Sequence, residues 1–351
     1  MDSKTSKTLL PNLPWPVIWR PKGFVPSLED LNSTHGLLAR TNVAKAFNVP
    51  GHGTDPLSVV DLAEGRIVGD LRLVVTHNGL AVGKLQSLIG SANPGKHYLL
   101  RTPRFRLSRR LPGVALVLGI PEATNYYHWM LNSAPRWKLL EAAGRTRDYD
   151  YVLLNASAPQ FQADLLDRMG VPLNKRLGCS TSSLLQFDKL VVPDMPLPKF
   201  KVPGWAATWV RSLVPERDPK APRLLYVSRR AASRRRLANE PDLEPRLKEM
   251  GFSIVQPERL GLVEQAKLFS AADCIVAPHG AGLTNVVFAP PGAHLVELFH
   301  PNAAAVCYQE LALLGGLRYW RLTGQPSGSP RMADFIIDVR ELLDLILRIK
   351  S

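Results

Sequence analysis

The chain has 351 residues, 45% of them hydrophobic and 21% charged, with 44 Lys and Arg against 30 Asp and Glu for a net charge of +14. That length exceeds one ordinary domain and suits two, and no run of ~18 apolar residues is present to cross a bilayer. Cys179, Cys274 and Cys307 are scattered among apolar residues, which argues against a disulfide framework or metal site and for reduced core positions in the cytoplasm. The opening "MDSKTSKTLLPNLPWPVIWRPKGF" has no uninterrupted apolar core and no small-residue cleavage site, so no secretory leader is expected.

In chain order, the first hundred residues are loop-rich and then strand-like. "GRIVGDLRLVVTHNGLAVG" alternates in polarity and turns at Asn78-Gly79, which predicts a β-rich entry. From Gly113, apolar strands alternate with helical patterns: "GVALVLG", "YYHWMLNSAPRWKLLEAAG", "YVLLNA", "FQADLLDRMG" and "KLVVPD". That is βαβα grammar and predicts a parallel sheet. The proline-rich "PDMPLPKFKVPGW" breaks it near 193–205 as a linker or crossover. A second series comes next, from strand "RLLYVSR" through strands "FSIVQP", "CIVAPHG", "HLVELF" and "RYWRLTG", with helices between them that include "LTNVVFA". The amphipathic "ADFIIDVRELLDLILRIK", with its cationic end, predicts a surface helix. Two doubly wound halves, 1–200 and 201–351, would place strand carboxyl ends around a central cleft.

Several residues at those strand ends have the chemistry of a nucleotide site. His279-Gly280-Ala281-Gly282 comes directly after "CIVAP", where glycines admit a ligand close to the backbone and a helix amino end favours phosphate. His279 reads as a diphosphate donor or as a satisfied turn histidine. Glu297, one strand on, reads as an acceptor for ribose hydroxyls or as one side of a strand-end salt bridge. "LLYVSRRAASRRRLANE" brings Arg229, Arg230, Arg235 and Asn239 near another strand end, where guanidinium groups suit a diphosphate or simply form a solvated face. On the first half, His128, Asn132 and Arg136 recur at i, i+4 and i+8, one polar stripe on an apolar helix. His128 reads as a general base or as a core histidine. Asp148-Tyr149-Asp150 precedes a strand instead of ending one, so metal binding is not expected, and no zinc-like spacing or P-loop occurs.

Taken together, "NYYHWMLNSAPRW", "LLYVSRRAASRRRLANE" and "GFSIVQPERLGLVEQAKLFSAADCIVAPHGAGLTNVVFAPPGAHLVELF" resemble glycosyltransferase family 61. The resemblance implies a GT-B fold of two Rossmann-like domains, an inverting transfer and a nucleotide-sugar donor, UDP-linked, without an obligatory metal or other cofactor. It implies that Arg229, Arg230, His279, Gly280, Ala281, Gly282 and Asn285 line the diphosphate, that Glu297 holds the ribose, and that His128 and Arg136 face the acceptor. Asn132 departs from the acid that relatives often carry at that position. A neutral amide cannot be the base, which leaves His128, with Glu122 as the fallback.

The expected partners are a nucleotide sugar and a glycan or lipid-linked saccharide acceptor in bacterial polysaccharide assembly, as in capsule, exopolysaccharide or O-antigen. The positive charge and "WPVIWRPKGF" would let a cytoplasmic protein rest on anionic lipid at the inner face of the membrane. The rival reading is a nucleic-acid-binding module using "RTPRFRLSRR" with Trp15 and Trp19. No nucleic-acid fold signature supports it.

Overall fold

The computed structural model describes residues 57–82, 108–195, 202, 204–302, 305–328 and 334–351, together with the backbone strands at 23–25 and 41–47. Trp15, Trp19 and most of the 101–110 arginine run lie outside the described residues, as do 196–201 and 203 of the expected linker.

Ten strands form the first sheet. They are β1 (Gly23–Val25), β2 (Thr41–Phe47), β3 (Leu57–Ala63), β4 (Arg66–Val68), β5 (Leu73–Val75), β6 (Leu80–Val82), β7 (Ser108–Val117), β8 (Tyr151–Asn155), β9 (Arg176–Cys179) and β10 (Leu184–Pro193). The expected turn is present: Gly79 takes φ +91° and its N–H donates to the Thr76 carbonyl at 3.0 Å. The parallel pairing expected of βαβα grammar holds from β10 through β7 and β8 to β9. The β-rich entry is not a separate layer, because β3 and β4 both pair antiparallel with β10 and extend the same sheet.

The second sheet contains β11 (Leu224–Val227), β12 (Ser253–Val255), β13 (Cys274–Pro278), β14 (His294–Phe299) and β15 (Arg318–Thr323), in the order β12-β11-β13-β14-β15 with every pair parallel. Helices cover both faces, which is why β13 reads as an unbroken apolar run and is buried along its whole length.

Between the sheets lie α1 (Tyr126–His128), α2 (Arg136–Ala142), α3 (Gln160–Arg168), α4 (Gly204–Leu213), then, beyond α5 (Glu240–Glu249), α6 (Leu262–Ser270) and α7 (Cys307–Leu314). One continuous apolar cluster runs through this layer, joining Leu116, Trp129 and Leu139 on one side to Leu225, Phe269 and Phe288 on the other. On the far face of the second sheet, α8 (Val339–Lys350) buries Leu342 and Ile346 against Tyr226, Val276 and Val296.

Three local expectations are corrected. "LTNVVFA" lies in a 3-10 helix, Ala281–Phe288, not an α-helix. The carboxyl-terminal helix starts only at Val339, its first turn capped by Asp338, because Phe335–Ile336 pairs as a short strand with Gln325–Pro326. Between α1 and α2, Trp129–Ser133 forms a π turn in which the Ala134 N–H reaches back five residues to the Trp129 carbonyl. The extra residue rotates the next helical turn by about 100°, so the stripe predicted for His128, Asn132 and Arg136 is broken after Asn132.

Candidate functional site

A cavity of about 680 Å³ opens at the carboxyl ends of β11, β12 and β13. One wall is the loop after β11 with Ser228 and Arg229, the Pro257–Arg259 turn after β12, and Gly280 to Leu283 after β13. The other wall comes from the first half: Tyr126 on α1, and Gln160, Phe161 and Asp164 on α3. This is the crevice in which open α/β sheets hold ligands.

Arg229 is the most preorganised cation in that wall. Its Nε donates to the Arg235 carbonyl at 3.3 Å and its Nη2 to the Arg234 carbonyl at 3.1 Å. Arg235 takes the left-handed φ of +59°, the turn that brings its carbonyl back to the guanidinium. No carboxylate among the described residues lies within ion-pair distance of Arg229. Burial and the nearby Arg235 charge hold the Arg229 pKa below its ordinary value, with Glu258 and Glu240 opposing the shift from a distance. Gly280 lies directly beneath it: a Cβ there would come within 1.7 Å of Arg229 Nη1. Its φ of 174° is open to any residue, so the position requires space and not backbone freedom. Gly282 is similarly crowded by Val227 and Pro257. The first N–H groups of the 3-10 helix beginning at Ala281 have no intrahelical acceptor.

The other expected diphosphate and ribose residues are engaged elsewhere. Arg230 is exposed and pairs with Glu244 on α5. Asn239 is clamped to Ile337, its amide donating to the carbonyl at 2.9 Å and accepting the N–H at 3.2 Å. Glu297 is 0% exposed, and its two oxygens meet His279 Nδ1 at 2.5 Å and the Tyr319 hydroxyl at 2.8 Å, so both are engaged by neighbouring side chains. His279 itself is 7% exposed and sits between the rings of Phe299 and Tyr308. Asn285, 0% exposed, accepts from the Tyr126 hydroxyl at 2.7 Å and donates to Gln265 Oε1 at 2.6 Å and the Gly282 carbonyl at 3.1 Å. It shapes the turn from behind instead of touching a ligand.

His128, two residues after Tyr126, is not among the residues that line the cavity; it is half-buried and its Nδ1 lies 2.9 Å from Asn132 Oδ1. In the neutral tautomer that donates from Nδ1 to the amide oxygen, Nε2 keeps its lone pair. Asn132 thus fixes the orientation of the His128 ring through its amide oxygen. Arg136 does not face the acceptor. It is 1% exposed, donates to the Leu118, Gly119 and Pro193 carbonyls, and ties the ends of β7 and β10 together. Burial lowers its pKa to about 9, with Asp194 opposing the shift, so it stays charged at neutral pH. Glu122 sits in the 3-10 turn Pro121–Thr124, outside the cavity wall. Asp150, of the discounted Asp-x-Asp, accepts the Val114 N–H at 2.7 Å as a structural cap.

Sequence reasoning missed Phe161, Asp164, Glu258, Gln265 and Tyr126 as cavity residues. "QPERL" directly after a parallel strand was the available signal, since such strand ends face the crevice. No sequence signal placed α3 opposite it.

Residues 126–296 match the family model described as Glycosyltransferase 61. The chain carries a glycosyltransferase 61 domain. Every residue lining the cavity falls inside that domain. Among relatives, the EGF domain-specific O-linked N-acetylglucosamine transferase of Drosophila melanogaster is 27% identical over 235 residues, covering 60% of this chain and 40% of that protein. The Xenopus laevis protein of the same name is 33% identical over 100 residues, 25% of this chain and 19% of its own. The beta-1,2-xylosyltransferase XAX1 of Oryza sativa subsp. japonica is 36% identical over 88 residues, 25% of this chain and 15% of its own. The glycosyltransferase 61 match thus spans less than half the length of each of these animal and plant relatives.

Proposed function

We propose that the chain is an inverting glycosyltransferase of GT-B type, its halves 1–200 and 201–351 holding acceptor and nucleotide sugar on opposite walls of the cavity. The observation that carries this reading is Arg229, pinned by two backbone carbonyls and lacking a carboxylate partner, lying over the Gly280 turn inside the glycosyltransferase 61 domain. A diphosphate supplies the missing counter-charge. The acceptor is a hydroxyl of a glycan or lipid-linked saccharide, in bacterial polysaccharide assembly at the inner membrane face, and the donor is UDP-linked.

In the reaction His128 Nε2 takes the acceptor proton, and the acceptor oxygen attacks the anomeric carbon from the face opposite the leaving group. The bond from that carbon to the diphosphate oxygen breaks, and the electron pair leaves on the diphosphate. Arg229 and the N–H groups of the Gly280–Gly282 turn stabilise that charge without an obligatory metal. The single displacement inverts the anomeric centre.

A panel of UDP- and GDP-sugars with glycan acceptors, read by mass spectrometry in the presence of chelator, tests the proposal. One donor should be consumed and should raise the melting temperature. His128→Gln should lower turnover by roughly 10²–10⁴-fold and keep that melting shift. If no nucleotide sugar is bound, hydrolysed or transferred, the proposal fails.

A further inference from the structure

Tyr126 and Tyr127 stand side by side on α1, a helix of the first half; Tyr126 bonds a residue of the turn after β13 directly, and Tyr127 connects to it through Tyr308. Tyr126 Oη donates to Asn285 Oδ1 at 2.7 Å in a buried bond that joins residues 159 apart in sequence. Asn285 passes the connection to Gln265 and to the Gly282 carbonyl, so one hydroxyl is wired to the backbone beneath Arg229. The Tyr127 ring meets Tyr308 edge-on at 5.6 Å, and Tyr308 meets His279 at 5.1 Å. These are independent ties, one polar and one aromatic, between the same helix and the same turn.

The other end of that helical stretch is fixed to the first sheet. Ser133 Oγ donates to the Leu118 carbonyl at 2.8 Å, and Arg136 grips the ends of β7 and β10. His128 and its partner Asn132 lie between the two anchorages, with the π turn after His128. The helix therefore works as a short rod whose amino end is bolted to the donor turn. Misplacing a catalytic group by about 1 Å costs on the order of 10²-fold in rate.

We propose that Tyr126 is a positioning residue whose hydroxyl, through Asn285, sets the distance between His128 and the donor turn, so that donor occupancy and placement of the base are coupled. The inference rests on the reading of His128 and Arg229 given under the proposed function. Burial holds the Tyr126 phenol well above its usual range, so the group stays a proton donor under assay conditions. Its ring packs edge-on against Phe161 at 5.1 Å, a contact that Tyr126→Phe preserves.

Two measurements on the full chain test it. Tyr126→Phe should bind UDP within about 3-fold of the wild type by calorimetry yet lose about 10–100-fold in kcat, a split that general weakening of the fold does not produce. In hydrogen exchange, UDP should slow the amides of 128–133 in the wild type and leave them unprotected in Tyr126→Phe. Should that variant fail to fold, Asn285→Ala removes the acceptor from the other end of the bond and, at saturating UDP, should likewise leave the amides of 128–133 unprotected. Wild-type kcat, or equal protection of 128–133 in the variant, overturns the inference while leaving the donor site intact. A wild-type protein that binds no UDP overturns the donor reading itself.

Discussion

Gly280 shows how much a single position can carry when its neighbour is a guanidinium. Nothing in its backbone demands glycine; the demand comes from Arg229 Nη1, which occupies the space a Cβ would need. Gly280→Ala should therefore fold normally, because the obstructed atom is the tip of a flexible side chain, and should weaken UDP binding about 10-fold by displacing it. Calorimetric titration reads this directly; wild-type affinity in the variant would show that Arg229 does not need its observed place. Arg229 and Gly280 were legible in the sequence because each comes just after a parallel strand, and strand ends of this kind face a crevice. Glu297, Asn239 and Asn285 were not. A buried carboxylate or amide looks the same in sequence whether its partner is a ligand or another side chain, and the partners here, Tyr319, Ile337 and Tyr126, are set by packing.

The element that most changed the site is the π turn at Trp129–Ser133. The four-residue spacing of His128, Asn132 and Arg136 predicts one stripe, and that arithmetic holds only while each turn has 3.6 residues. One additional residue leaves His128 with Asn132 and sends Arg136 inward, where its donors satisfy three main-chain carbonyls at the ends of β7 and β10. Arg136→Met should destabilise the protein by roughly 3 kcal/mol, since buried acceptors left without donors cost ~1–3 kcal/mol each. Urea denaturation at neutral pH measures the effect; stability equal to that of the wild type would mean that the carbonyls find other donors. Strands β7, β8, β10 and β11 to β15 were legible, because apolar runs of four to six residues between turn signals have few alternatives, whereas β3 and β9 were not singled out. The 3-10 form of Ala281–Phe288 was not, since α and 3-10 helices share the same composition over so short a span.

At the scale of the molecule, the facing sides of the two sheets share one interior, while each outer face keeps an apolar cluster of its own. The helices between them share one apolar cluster, and Trp129 and Phe288 belong to it equally. Thermal unfolding should consequently be a single transition, with far-UV circular dichroism and tryptophan fluorescence coinciding. Two resolved transitions would mean that the halves fold independently and that the shared cluster contributes little. The sequence by itself determined the α/β class, the parallel second sheet, the glycine turn after β13 and the arginine beside it. These arise from local periodicity and from glycine's size, properties that residues carry wherever they are. Only the tertiary structure decided which polar groups face the cavity, that Tyr126 and Phe161 form its opposite wall, that His128 meets Asn132, and that Tyr126 bonds Asn285 behind the turn after β13. Such contacts join residues more than a hundred positions apart, and their geometry is fixed by how two sheets pack, which no local pattern encodes.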